Sequence, residues 1–109
     1  MRKAIILFKN EEAGILTQHD DGSFLFRYHP AWIANPAKKS ISLTLPKVAQ
    51  EFHSPHLFPF FYNMLPEGSN KLVVCTLNRI DKNDDFGLLM AVAKHDNIGA
   101  VTVLKIENE

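Results

Sequence analysis

The sequence predicts an α+β domain: an antiparallel sheet or small open barrel of about five strands, with two main helices in the C-terminal half before a closing strand. Three observations carry this. Apolar residues of the first half fall in short runs separated by turn signals, the strongest being Asp20-Asp21-Gly22. Ser40–Leu45 alternates strictly between apolar and polar residues. Helical spacing of apolar residues is confined to Leu72–Ile80 and Phe86–Ala93.

Taken in order, Ala4–Phe8 is a short apolar run with polar flanks, as expected of a strand buried on both faces. Asn10-Glu11-Glu12 reads as a turn and Ala13–Gln18 as a second strand. After His19-Asp20-Asp21-Gly22, the segment Ser23–Tyr28 places Phe24, Phe26 and Tyr28 on one side of a third strand. Pro30 opens a single helical turn, which ends before Pro36. In Ser40–Leu45 the pattern points Ile41, Leu43 and Leu45 inward. Pro55, Pro59 and Pro66 forbid one long helix and leave room for a short helical piece over Phe60–Met64. Leu72, Val73, Thr76, Leu77 and Ile80 share one face of the first main helix. Asp81–Asp84 supplies a turn and a cap. Phe86, Leu89, Met90 and Ala93 share one face of the second helix, which should fray by His95–Gly99. Ala100–Ile106 is the closing β-branched strand, and Glu107–Glu109 a polar tail.

The 109 residues fit a single domain spanning residues 1–109. Apolar residues make up 46% and charged residues 22%, so a packed core is expected rather than disorder. Twelve basic residues balance twelve acidic ones, which removes the electrostatic case for direct nucleic-acid binding. The same neutrality leaves little repulsion between copies or partners. The single Cys75 forms no internal disulfide and suits a reducing compartment. The apolar run after Met1-Arg2-Lys3 stops at Lys9, too short for a signal core, and nothing reaches membrane-spanning length. A cytoplasmic protein is expected.

No catalytic constellation emerges. Asp85-Phe86-Gly87 matches the metal-binding tripeptide of protein kinases, but no glycine-rich phosphate loop, strand lysine or catalytic-loop Asp precedes it. At a helix start, Asp85 suits the positive end and Phe86 the core. Asp81–Asp85 brushes the calcium-loop pattern, yet Phe86 and Val92 stand where that loop needs Gly and Glu. His53 and His56 are separated by Pro55, and His19, His29 and His95 are scattered, so no metal or other cofactor is expected. Cys75 reads as a small buried hydrophobe. Trp32 reads as a lid over the sheet end, with a partner contact as the alternative.

The densest feature is Leu57-Phe58-Pro59-Phe60-Phe61-Tyr62-Asn63-Met64-Leu65-Pro66-Glu67-Gly68. A domain of this size cannot comfortably bury all four rings beside Phe24, Phe26 and Tyr28, so at least one is expected at the surface, where an apolar patch marks a binding site. The segment resembles the Phe-Phe-x-Asn-Leu-Leu-Pro-Glu-Gly element near the N-terminus of HipA-type toxin kinases. The likeness continues in order. Gly14-Ile15-Leu16 with Asp20–Tyr28 is similar to their first hairpin, and His29–Pro36 to their Asp-Pro-x-Trp-Leu-x-x-Pro stretch. Ser40–Pro46 resembles their Leu-Ser-Leu-Ser-Leu-Pro strand, and Phe86–Leu89 with Ile98–Val101 their last helix and closing strand.

In that family the region is an N-terminal subdomain and the kinase body follows it. This chain ends at Glu109, so the resemblance implies a free-standing subdomain: the small third protein of a toxin operon, a non-catalytic antitoxin. The implied partners are a HipT-like kinase and, in the same complex, a HipB-like DNA-binding protein. The implied contact residues are Phe60, Phe61, Asn63, Leu65, Pro66, Glu67, Gly68, Ser69 and Asn70, with Phe60, Phe61 and Leu65 as anchors. Two other readings stay open: a structural subunit that completes a kinase or bridges it to the DNA-binding partner without inhibition, and a small metal-dependent enzyme. Two departures from the family pattern matter. Ser69 and Asn70 follow Pro-Glu-Gly where relatives carry a bulky residue, and His29 replaces the acid before Pro30.

Overall fold

The computed structural model describes residues 1–92 and 101–106. The chain forms β1 (Arg2–Phe8), β2 (Glu11–Gln18), β3 (Phe24–Tyr28), α1 (Pro30–Ala34), β4 (Glu51–Ser54), α2 (Pro59–Tyr62), α3 (Gly68–Asn78), α4 (Asp85–Val92) and β5 (Val101–Lys105). The strands make one antiparallel open sheet in the order β4-β3-β2-β1-β5. The fold is thus α+β, with two main helices before the closing strand. The helix end expected at Ala93, the fraying at His95–Gly99, the first residue of the closing strand, Ala100, and the tail at 107–109 lie outside the described residues.

Register explains the core. Ala4 lies opposite Leu16, Leu16 opposite Phe26, Phe26 opposite Phe52, and Ile6 opposite Val103. Opposed residues share a face, so these side chains form one apolar surface. Three helices bring aromatic residues to it. Phe61 of α2 tilts against Phe26 at 5.9 Å, Phe86 of α4 meets Phe24 edge-on at 6.0 Å, and Trp32 of α1 meets Phe8 edge-on at 5.7 Å. Ala4, Ile6, Leu16, Phe26, Phe61, Phe86, Leu88, Leu89 and Val103 are sealed from solvent. Each large side chain buried this way contributes roughly 1.5–3 kcal/mol. On the other face, Ile5, Leu7, Ile15 and Leu25 are half-buried, so β1 is sealed on one side rather than on both.

The first hairpin turns at Lys9-Asn10, one residue earlier than the sequence suggests. Both residues have positive φ, 51° and 68°, the signature of a tight two-residue hairpin turn. The second hairpin turns where Asp-Gly predicts: Gly22 has φ 91°, and the His19 amide donates to the Ser23 carbonyl at 2.8 Å.

The fourth strand is not where alternation places it. Ser40–Leu45 is a run of turns, and the strand beside β3 is Glu51–Ser54. The buried Tyr28 hydroxyl donates to the Leu45 carbonyl and accepts from the Ile41 amide, taking backbone groups a ladder needs. The Leu45 amide donates to the Ser42 carbonyl, and Ser42 Oγ accepts from the Thr44 amide. Ile41 and Leu45 are still buried, but Leu43 is 98% exposed. β4 hides in the sequence because it is a short, charged edge strand in which Phe52 is the one large apolar residue.

Candidate functional site

The aromatic segment folds as a compact turn. Pro59 opens α2 at its first position, and the Phe61 and Tyr62 amides both donate to the Phe58 carbonyl. Two further bonds, Met64 to Phe61 and Leu65 to Tyr62, carry the turn on to Leu65. One side of the turn belongs to the core: Phe58, Phe61 and Leu65 are buried, and Phe61 touches Phe58 and Phe60 edge-on at 6.4 and 5.2 Å. The other side faces water. Tyr62 is 50% exposed and Asn63 is exposed, while Phe60 and Met64 are half-buried. The ring at the surface is therefore Tyr62.

After Leu65 the chain passes through half-buried Pro66 to Glu67, the N-cap of α3. Glu67 is exposed, and its side chain makes no capping hydrogen bond. Gly68 adopts φ 60°, a conformation in which a Cβ is strained although open space surrounds it. Ser69 and Asn70 are exposed. Tyr62, Leu65, Pro66, Glu67, Gly68 and Lys71 line a shallow notch of about 230 Å³. Of the nine contact residues implied by the sequence, Asn63, Glu67, Gly68, Ser69 and Asn70 thus lie at the surface together. Phe60 and Pro66 are partly accessible, and Phe61 and Leu65 support the turn from beneath.

The orientation of α3 differs from expectation. Its apolar spacing predicts Leu72, Val73, Thr76 and Leu77 toward the core. Instead Leu72 is 61%, Val73 54% and Leu77 78% exposed, and Thr76 is exposed as well. The helix packs inward through Lys71, Val74 and Cys75, with Ile80 following its end. Lys71 reaches toward Asp85 of α4, with 3.9 Å between Nζ and the carboxylate. Ser69, Leu72, Val73, Thr76 and Leu77 follow at i, i+3, i+4, i+7 and i+8, so they form one uncharged outward stripe. Among the residues that shape this surface, these were readable as a stripe; that the stripe faces outward was not.

The remaining sequence motifs resolve as structure. Asp85-Phe86-Gly87 is the first turn of α4, with Phe86 sealed in the core. Asp84 caps that helix, its Oδ1 accepting from the Gly87 amide at 3.0 Å. A Cβ on Gly87 would meet Asp84 Oδ2 at 2.3 Å, which explains the glycine. Arg2 clamps Asp84 at 2.6 and 3.0 Å, and its hydrogen bond holds the Asp84 carboxyl below its ordinary value. Cys75 is buried. Trp32 is also buried and donates from Nε1 to the Lys39 carbonyl at 3.0 Å, as befits a lid. His29 takes the place of the acid before Pro30: its Nδ1 accepts from the Ala31 amide at 3.1 Å and caps α1. Among the described residues, no three His, Cys, Asp or Glu side chains converge as metal ligands, and no helix is long and apolar enough to cross a membrane.

The described residues thus combine an antiparallel sheet packed by helices on one face with an exposed, uncharged face on α3. The chain belongs to the HipA N-terminal domain family, whose sequence profile matches residues 4–104. A solved structure of the N-terminal domain of HipA toxin superposes with a TM-score of 0.74 at 28% identity, covering 100% of this chain and 96% of that one. A putative kinase of Sinorhizobium fredii, Y4mE, is 33% identical over 96 residues, which are 88% of this chain but 23% of the kinase. An uncharacterized protein of Haemophilus influenzae is 32% identical over 103 residues, 94% of this chain and 92% of that protein. The chain is therefore related to the HipA toxin kinase system, and it spans about a quarter of the length of the putative kinase it matches.

Proposed function

We propose that this chain is an antitoxin of the HipS type: it binds a HipT-type serine/threonine toxin kinase in trans and inhibits it without catalysing a reaction itself. The observation that carries this reading is family membership over residues 4–104 together with an accessible surface at the Pro-Glu-Gly turn. The relatives support action in trans. The matching domain makes up 23% of the putative kinase but 92% of the Haemophilus protein, so relatives carry it both within a much longer chain and as nearly a whole protein.

A domain linked to its kinase binds at high effective concentration, whereas a separate one depends on interface quality. Here Tyr62 offers an aromatic contact, and Asn63, Glu67, Ser69 and Asn70 offer polar ones. Glu67 pairs with a basic group in the partner's phosphate-binding cleft. Phe60 and Pro66 flank this contact, Gly68 lets the chain turn into it, and Phe61 and Leu65 hold the turn rigid. A HipB-like DNA-binding protein completes the complex, in the cytoplasm. No metal or cofactor takes part.

The test is a phosphorylation assay with the purified HipT-type kinase of the same operon. Equimolar addition of this chain should lower turnover. Unchanged or raised turnover would instead favour a structural subunit that completes the kinase or bridges it to the DNA-binding protein. The same surface serves that second reading.

A further inference from the structure

We infer that the outward stripe of α3, made of Leu72, Val73 and Leu77, is the apolar centre of the kinase-binding interface. This rests on the reading above that the chain binds a HipA-type kinase, and it names the part of the domain that supplies the affinity. An amphipathic helix on a folded domain ordinarily turns its larger apolar side chains inward. α3 does the reverse: Val74 and Cys75 face the core, while two leucines and a valine face outward. The notch lined by Tyr62, Gly68 and Lys71 joins the aromatic turn to the first turn of α3.

The composition of the stripe indicates its occupant. Along Gly68–Asn78 the one charged residue is Lys71, which is half-buried and directed toward Asp85. The outward positions Ser69, Leu72, Val73, Thr76 and Leu77 carry no charge. Depletion of charge around apolar anchors characterises the centre of protein interfaces, whereas nucleic acid or an anionic membrane surface calls for lysine and arginine. The putative-kinase relative supplies a neighbour of the right kind: more than three quarters of that chain lies beyond the matched domain. The occupant is accordingly an uncharged apolar groove on the kinase chain. The charged Glu67 lies at the N-terminal end of the stripe, as a polar rim does beside an interface centre.

The experiment measures binding of this chain to the kinase of the same operon by titration calorimetry, with wild type and the double variant Leu72→Ser/Leu77→Ser. Both leucines are exposed, so the variant should melt within a few degrees of wild type, as monitored by circular dichroism. Its dissociation constant should rise about 100-fold, the combined effect of two interface leucines. Hydrogen exchange provides a measurement free of substitutions: amides of α3 should gain protection on kinase binding. Wild type and the double variant binding alike, with α3 unprotected, would overturn the inference while leaving kinase binding intact. No binding by wild type would overturn the functional reading and this inference with it. If sedimentation shows a wild-type dimer that the double variant makes monomeric, a second copy occupies the stripe and the kinase does not.

Discussion

Arg2 and Asp84 are 82 positions apart, and their double contact ties the first strand to the start of α4. The Arg2 hydrogen bond lowers the Asp84 carboxyl, partial burial opposes the shift, and the Gly87 amide adds to the lowering. A carboxyl with a depressed folded value binds fewer protons folded than unfolded. Its stabilisation is therefore full above the unfolded value, about 3.9, and is lost as pH falls through the lower folded value. Asp84→Asn should cost about 1 kcal/mol at pH 7 and flatten the loss of stability below pH 4, as read by urea unfolding at several pH values. An unchanged acid slope would contradict this assignment. Phe61 and Tyr62 are neighbours with opposite consequences. Phe61→Ala should cost about 3–5 kcal/mol, because the ring is sealed against Phe26, Phe58 and Phe60. Tyr62→Ser should stay within about 0.5 kcal/mol of wild type in the same unfolding measurement.

At the scale of elements, backbone conformation yields two further expectations. Lys9 and Asn10 both occupy the left-handed region, where lysine is strained. Asn-Gly is the preferred pair for such a turn, so Lys9→Asn/Asn10→Gly should raise stability by about 1 kcal/mol, seen as a higher melting temperature. Gly68 begins α3 at φ 60° with nothing near its missing Cβ. Gly68→Ala should therefore cost about 1 kcal/mol through conformation alone, and the loss should show in thermal unfolding without any change in the core. Periodicity found both main helices but not which way α3 faces, because spacing fixes which residues share a face and is silent on what that face meets. The alternation of Ser40–Leu45 misled for a related reason. Residues four apart, Ile41 and Leu45, are buried from a series of turns because the Tyr28 hydroxyl engages their backbone.

Across the whole molecule, β5 lies against β1 and the aromatic residues of α1, α2 and α4 converge on one sheet face. This arrangement leaves the Pro-Glu-Gly turn and the outer face of α3 at the surface. Charge at that corner should therefore affect partner binding more than folding. Glu67→Lys should leave the unfolding midpoint nearly unchanged, since the carboxylate is exposed and makes no capping bond. In the kinase assay it should weaken inhibition, on the reading that Glu67 meets a basic group. Full inhibition by a folded Glu67→Lys protein would remove Glu67 from the contact.

By itself the amino-acid order determined the class of fold, the Asp-Gly hairpin, the aromatic third strand, the two main helices and the closing strand. Each depends on local chemistry: positive-φ turn residues, β-branched and aromatic runs, and apolar spacing. The ordered motifs from the first hairpin to Phe86–Leu89 also pointed to the family. Only the tertiary structure decided that Glu51–Ser54 completes the sheet, that Phe61 is core while Tyr62 is surface, and that the leucines of α3 face outward. Those outcomes depend on contacts between residues distant in the chain: the Tyr28 hydroxyl engages the backbone of Ile41 and Leu45, and Phe26 lies opposite Phe52 and against Phe61.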